Sequence, residues 1–200
     1  MMFSGIVKEV GIVENLQQQR GILEITISSD SKFSVGSSVS VDGCCLTVVE
    51  KKNSFFKTEI TEETLNKTNF KNLRVGSKVN LEPSLVLGDK LDGHLVLGHV
   101  DSTGEINDIL ISSENRIVKI SFPEMLKHFI APKGSISVNG VSLTVIGLKN
   151  NVFNFTLIPY TRDNTNLGLI KRGDLVNLEV DLISRYLINY LENKEKIYAT

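Results

Sequence analysis

The chain has 200 residues, a formal net charge of −1, 41% hydrophobic residues and two cysteines. Positive charge is not gathered into a stripe, which argues against a nucleic-acid partner, and no apolar run reaches the length of a membrane span. The cysteines, Cys44 and Cys45, are adjacent, which makes neither a disulfide framework nor a CxxC metal site. The start, Met1-Met2-Phe3-Ser4-Gly5, lacks a basic region followed by an apolar stretch, so no secretory signal and a cytoplasmic location are expected.

Taken in order, the elements are mostly strands. Phe3–Val13 is apolar and β-branched, broken by Gly5 and Gly11; Gly21–Ser28 alternates and predicts a half-buried strand. Ser37–Glu50 is a long strand or strand pair with Asp42-Gly43 as its turn or bulge, and Phe55–Ile60 returns after a hairpin turn at 51–54. Thr61–Asn69 starts like a short helix, and Gly76–Leu81 is a strand. Residues 84–100 link to a second run of the same plan: Val100–Ile111, Arg116–Phe122, a short helix over Pro123–Phe129 with Pro at its first position, then strands over Ser135–Leu148, Val152–Ile158 and Leu175–Val180. From Asp181, a candidate N-cap, Ile183, Tyr186-Leu187 and Tyr190-Leu191 fall at helical spacing. That amphipathic helix either packs on its own barrel or meets copies of itself.

The chain repeats itself. Residues 38–48 (Ser-Val-Ser-Val-Asp-Gly-Cys-Cys-Leu-Thr-Val) return 97 positions later as 135–145 (Ser-Ile-Ser-Val-Asn-Gly-Val-Ser-Leu-Thr-Val). From 38 to 82, 18 of 45 positions match their partner, against roughly one in 15 to 20 by chance. Two copies of this length mean two similar domains in tandem rather than a solenoid. Strand alternation sets Cys44, Leu46 and Val48, like Val141, Leu143 and Val145, on an apolar core face. Cys45 and Thr47, matched by Ser142 and Thr144, take the polar face. Cys45 is then either one more small residue or part of a site where one copy offers a thiol and the other a hydroxyl. Gly43 and Gly140 let backbone come close to a ligand. His94 and His99, five apart, complete no metal pattern, so no metal site is expected; either could still act as a base near its glycine-rich turn. No Ser-His-Asp signature or phosphate loop is present.

Four motifs carry a resemblance: Met2-Phe3-Ser4-Gly5-Ile6-Val7, Gly43-Cys44-Cys45-Leu46-Thr47-Val48, Gly93-His94-Leu95-Val96-Leu97-Gly98-His99-Val100-Asp101 and Asn139-Gly140-Val141-Ser142-Leu143-Thr144-Val145. In this combination and order the chain resembles riboflavin synthase of the alpha type. The resemblance implies an all-β fold: two tandem six-stranded antiparallel Greek-key barrels, at 1–97 and 98–181, and a C-terminal α-helix at 182–200 that helps form a homotrimer. It implies that two molecules of 6,7-dimethyl-8-ribityllumazine react at one site, one giving a four-carbon unit to the other, to yield riboflavin and 5-amino-6-(D-ribitylamino)uracil with no cofactor. Such sites lie between the first barrel of one subunit and the second barrel of its neighbour. Lumazine synthase, which encloses some relatives in its shell, is a further partner the resemblance brings in.

Carried over motif by motif, the first pocket takes Gly5, Ile6 and Val7 with their neighbour Ser4, then Cys45, Leu46 and Thr47, and Glu59, Ile60, Thr61, Glu62, Glu63 and Thr64. The second takes Gly98, His99 and Val100, Lys133, Ser142, Leu143 and Thr144, and Thr156, Leu157, Ile158, Pro159, Tyr160 and Thr161. The catalytic candidates are Cys45 as nucleophile or proton relay, His99 or His94 as base, and Ser38, Ser142 and Asp181 in support. The chain departs from the family pattern at Tyr160, in a loop that often carries Glu or His, and at Asp92, where Gly is common. The rival expectation is a non-catalytic lumazine or flavin carrier of the same fold. A flavin reductase would need a nicotinamide domain for which the repeat leaves no room.

Overall fold

The repeat folds into two sheets built on one plan. The computed structural model describes residues 2–19 and 21–198, with side chains through 194. Met1, Arg20 and residues 199–200, which the expected divisions 1–97 and 182–200 include, lie outside the described residues. The first half contains β1 (Glu9–Gln19), β2 (Ile22–Ser28), β3 (Ser38–Val41), β4 (Cys44–Lys52), β5 (Phe55–Ile60), α1 (Glu62–Lys67) and β6 (Lys78–Pro83). Its strands close into an antiparallel barrel in the order β1-β2-β5-β4-β3-β6, with β6 returning to β1. The second half contains β7 (Ser102–Ser112), β8 (Asn115–Ser121), β9 (Ser135–Val138), β10 (Val141–Thr144), β11 (Gly147–Lys149), β12 (Val152–Leu157), α2 (Pro159–Asn164) and β13 (Leu175–Val180). The chain then enters α3 (Leu182–Tyr198).

Alternation builds both cores. In β2, Ile25 and Ile27 are fully buried while their neighbours Glu24, Thr26 and Ser28 are half-buried. Phe56 and its repeat partner Phe153 are likewise buried, each in the core of its own half. Several expected elements differ in extent. The first strand runs to Gln19 and begins at Glu9, while Phe3 makes only an isolated bridge to Val96. The helix expected at Pro123–Phe129 is a 3₁₀ segment over Glu124–Phe129, with Pro123 preceding its first turn. The strand expected over Ser135–Leu148 breaks at Val145-Ile146. There the Val145 N–H turns back to Gly134 O (2.9 Å) and the Ile146 N–H goes to Asn154 O (2.8 Å). The second half therefore hydrogen-bonds as seven strands, β10-β9-β13-β7-β8-β12-β11. Its two edge strands are joined by a short chain link where the first half has one continuous β4.

The offset between the halves is 97 from β3 onward but 93 before it, as Gly11 and Gly104 show by packing on equivalent residues. The second half thus carries four extra residues between β8 and β9, and α3 packs against the 3₁₀ segment formed there. Asp181 caps α3, its carboxylate accepting the Ile183 N–H at 2.8 Å. Arg185 pairs with Asp101 through both terminal nitrogens, at 2.8 and 2.9 Å, which ties the helix to the start of the second barrel. Among the described residues no helix is long and apolar enough to cross a membrane.

The two halves meet at a polar seam made from the repeated phrase. The turns Asp42-Gly43 and Asn139-Gly140 have positive φ throughout (45°, 78°, 46° and 78°), the geometry of a tight hairpin. They stack back to back: a Cβ on Gly43 would stand 2.5 Å from Gly140 N, and one on Gly140 would stand 2.7 Å from Gly43 N. Asn80 and Asn177 brace them symmetrically. Each takes a turn carboxylate or amide on its N–H, from Asp42 Oδ1 and Asn139 Oδ1 (2.7 Å both). Each gives its side-chain amide to the other half's turn carbonyl, Asn139 O and Asp42 O (2.9 Å both). Each receives on its Oδ1 a backbone N–H from the other half, from Asn166 and Asn69 (2.7 Å both).

Asp42 is the one acid in this network of amides, and burial pushes its carboxyl up to about 7 against the lowering hydrogen bonds of Asn80 and Asn166. A carboxyl raised in the native state favours folding below the ordinary carboxylate range and loses that contribution as pH rises through about 7. Asn139 fills the equivalent place in the second half. Asp42→Asn is therefore expected to gain stability relative to the parent as pH rises from about 4 to about 7 and to hold that gain at pH 8. Thermal melts of the two proteins across that pH range check this.

Candidate functional site

The polar face of the motif strand opens on two adjoining hollows of the first barrel. Cys44, Leu46 and Val48 point into the core, while Cys45 is half-buried and Thr47 is exposed. One hollow, of about 260 Å³, is lined by Cys44, Cys45, Glu63, Thr64, Lys67, Thr68, Gly98, His99 and Val100. The other, of about 320 Å³, is lined by Ile22, Cys45, Leu46, Thr47, Val49, Glu59, Thr61 and Thr64. Cys45 and Thr64 belong to both. Thr61 starts α1 and its hydroxyl accepts the Thr64 N–H, which sets the helix's first turn beside the motif strand. Burial raises the Cys45 thiol above its ordinary value, and a hydrogen bond with Ser38 works in the opposite direction. A thiol so held is a proton donor or relay before it is a thiolate nucleophile.

The leading segments of the two halves are crossed. Gly98, His99 and Val100 were expected in the second pocket, and Gly5, Ile6 and Val7 in the first; the structure places them the other way round. The Cys45 N–H donates to Gly98 O, and the Ser142 N–H donates to Gly5 O, both at 2.8 Å. Val100 packs in the first core and Val7 against the second. Glycine makes the crossing possible. Gly5 and Gly98 have φ of 74° and 77°, and a Cβ on either would stand within 2.7 Å of Ser142 or Cys45.

In the second half, Ser142 is half-buried at the place of Cys45. His94 lies against it, with Nδ1 2.7 Å from Ser142 Oγ. The histidine is buried, its backbone N–H donates to Ser4 O at 3.1 Å, and its Nε2 is buried without a hydrogen-bond partner among the described residues. Burial lowers the imidazole below its ordinary value, with the Asp181 charge opposing. It is thus a neutral base held by a hydroxyl. Gly93 packs its backbone on Ser4 O and Ser142, where a side chain would collide.

The catalytic candidates therefore fall into two groups: Cys45, Ser38 and His99 in one half, and Ser142, His94 and Asp181 in the other. The other expected residues are placed as follows. Ile60, Leu143 and Leu157 are core, at 0%, 9% and 0% exposure, because alternation turns them inward. The Ser4 hydroxyl is already committed to Glu82 at 2.7 Å. Glu62 is an exposed first-turn residue of α1. Lys133 sits in a turn with φ 67° where the first half has Gly36, its N–H on Val145 O. Thr144 is exposed and Thr156 half-buried, while Ile158, Pro159, Tyr160 and Thr161 form the start of α2. Lys67 and Thr68 line the first hollow without having been singled out. Glu82 and Glu179 were visible only as matched letters of the repeat, although each grips a crossing segment. Among the described residues no group of three His, Cys, Asp or Glu is placed to hold a metal ion.

The family model for the lumazine binding domain matches twice, over residues 4–84 and 97–181. The riboflavin synthase of Mycobacterium tuberculosis is 42% identical over 193 residues, 93% of this chain and 96% of its own length. That of Chlamydia trachomatis is 39% identical over 190 residues, 94% of each chain. Among solved structures, LumP complexed with 6,7-dimethyl-8-(1'-D-ribityl) lumazine superimposes with a TM-score of 0.82 at 26% identity, over 90% of this chain and 99% of that one. LumP complexed with riboflavin gives 0.84 at 27%, with the same coverage. On the doubled domain and on relatives that match along nearly its whole length, the chain belongs to the riboflavin synthase family of tandem lumazine-binding proteins.

Proposed function

We propose that this protein is a riboflavin synthase: it joins two molecules of 6,7-dimethyl-8-ribityllumazine by four-carbon transfer, giving riboflavin and 5-amino-6-(D-ribitylamino)uracil. The observation that carries this reading is the pair of equivalent but unequal polar faces, one with Cys45 and one with Ser142 and His94. Two copies of one substrate have to meet in related but different poses, and a duplicated domain supplies such poses. The two substrates and the two products contain the same atoms, so the reaction calls for no outside oxidant or reductant and is read here as cofactor-independent. The working division is 1–97 and 98–181 for the lumazine-binding domains and 182–200 for the helix, in a cytoplasmic protein.

The chemistry begins with a proton leaving the acidic 7-methyl group of one lumazine. The ring spreads the resulting charge, so positioning and a well-placed acceptor supply most of what the protein contributes. His94, whose imidazole burial holds below its ordinary value, lies with Nδ1 2.7 Å from the half-buried Ser142 hydroxyl, so that hydroxyl can pass a proton to it. Cys45, its thiol raised by burial and hydrogen-bonded with Ser38, is suited to relay a proton, and as the thiolate formed in that relay to add to the other lumazine. The exposed stripe of α3, Ile183, Tyr186, Leu187, Tyr190 and Leu191, is 47–70% accessible. It supports a trimer in which these helices cover one another and the first barrel of one subunit faces the second barrel of the next. A carrier that binds lumazine without turnover is the second reading, favoured by the likeness to LumP in complex with lumazine and riboflavin.

Purified protein mixed with 6,7-dimethyl-8-ribityllumazine and a chelator is expected to form one riboflavin for every two lumazines consumed, followed by absorbance and fluorescence. Shifted ligand fluorescence without riboflavin would establish the carrier instead. Cys45→Ser is expected to lower kcat roughly 100-fold, and turnover at the parental rate would remove Cys45 from the chemistry. Leu187→Glu is expected to shift the protein from trimer to smaller species in sedimentation, with turnover falling in step.

A further inference from the structure

Two buried carboxylates stand outside the chemistry described so far. Glu82 is the penultimate residue of β6 and Glu179 of β13, at equivalent places of the repeat, each about 3% exposed. Among the described residues neither meets a cation in an ion pair; each places its two oxygens on the backbone of a crossing segment. Glu179 accepts the Leu97 N–H on Oε1 (2.7 Å) and the Gly98 N–H on Oε2 (2.9 Å). Glu82 accepts the Ser4 N–H and hydroxyl on Oε1 (2.7 Å each) and the Gly5 N–H on Oε2 (3.0 Å). The segment so gripped passes over to the other barrel, where Gly98 O meets the Cys45 N–H and Gly5 O meets the Ser142 N–H. The two segments also pair with each other, Phe3 N–H on Val96 O (2.7 Å) and Val96 N–H on Phe3 O (3.1 Å).

We infer that Glu179 and Glu82 are crossed positioning residues: each is rooted in the last strand of its own barrel and fixes, through the leading segment of its half, a wall of the other barrel's pocket. Glu179 acts on the pocket of Cys45 and sets His99 at its edge. Glu82 acts on Ser142, and its partner Ser4 also receives the His94 N–H on its carbonyl. Only a carboxylate fits, because two neighbouring N–H donors need two acceptor atoms at once. Glutamine would offer one acceptor and turn an NH₂ toward the other donor. The inference rests on the two-pocket reading of function, but its physical content does not require turnover.

The test is amide hydrogen exchange on the full chain, read at Cys45 and Ser142. Glu179→Gln is expected to speed exchange at Cys45, in the first barrel, by roughly 10- to 100-fold, the loss of a charge-assisted hydrogen bond, and to leave Ser142 protected. Glu82→Gln is expected to give the mirror result. Ser4→Ala, which removes only the hydroxyl from Glu82, gives a smaller effect at Ser142 alone and serves if a glutamine variant does not fold. Exchange that rises within the mutated residue's own barrel, or at both sites equally, would overturn the crossed assignment. With lumazine as substrate, Glu179→Gln is expected to lower kcat/KM. If the parent proves to bind lumazine without turnover, the exchange pattern still decides the inference and only the functional reading falls.

Discussion

The structure depends on one contact, the back-to-back stacking of Gly43 on Gly140. Each glycine is the second residue of a tight turn with positive φ, and each leaves no room for a side chain on the other. The close approach brings the flanking polar groups within reach of Asn80 and Asn177, whose amides then satisfy the buried backbone of both turns. An interface of this kind is directional. It gains less from apolar burial than a core does, but every donor has one place to go, so the two barrels meet in one register.

From that register follows the crossing of the leading segments. The seam lies close to the motif strands, so a leading segment held on one barrel's last strand, Ser4-Gly5 on Glu82 or Leu97-Gly98 on Glu179, reaches the other barrel's Ser142 or Cys45. The hollow beside Cys45 is therefore composite within a single chain, with Gly98, His99 and Val100 of the second half's leading segment in its wall, and Val7 packs against the second core in the same crossed way.

Much of the fold was legible because its determinants are local. Period-two alternation located most strands, the Asp42-Gly43 pair located the turn of the first half, and the terminal stripe located α3. Alternation also separated Cys44 from Cys45 correctly, since adjacent residues of a strand face opposite ways. What escaped was the part fixed by long-range geometry. Nothing near Gly98 says that its carbonyl meets Cys45, so the segments were assigned to the wrong pockets. Ile60, Leu143 and Leu157 entered the site as members of contiguous runs, although alternation alone would have turned them inward. Glu82 and Glu179 were plainly repeated, but an acid in an apolar strand reads as a surface residue until its backbone partners are known. The break at Val145-Ile146 had no local sign, because both residues are good strand formers.

The seam is symmetric in shape but not in charge. Asp42 stands where its counterpart is Asn139, and both reach Asn166. Were two copies of the first half to meet by the same stacking, one buried carboxylate would confront another across the glycines. Two copies of the second half would set amide against amide, which can donate and accept in turn. The single acid thus makes the pairing of unlike halves preferable to the pairing of first halves with each other.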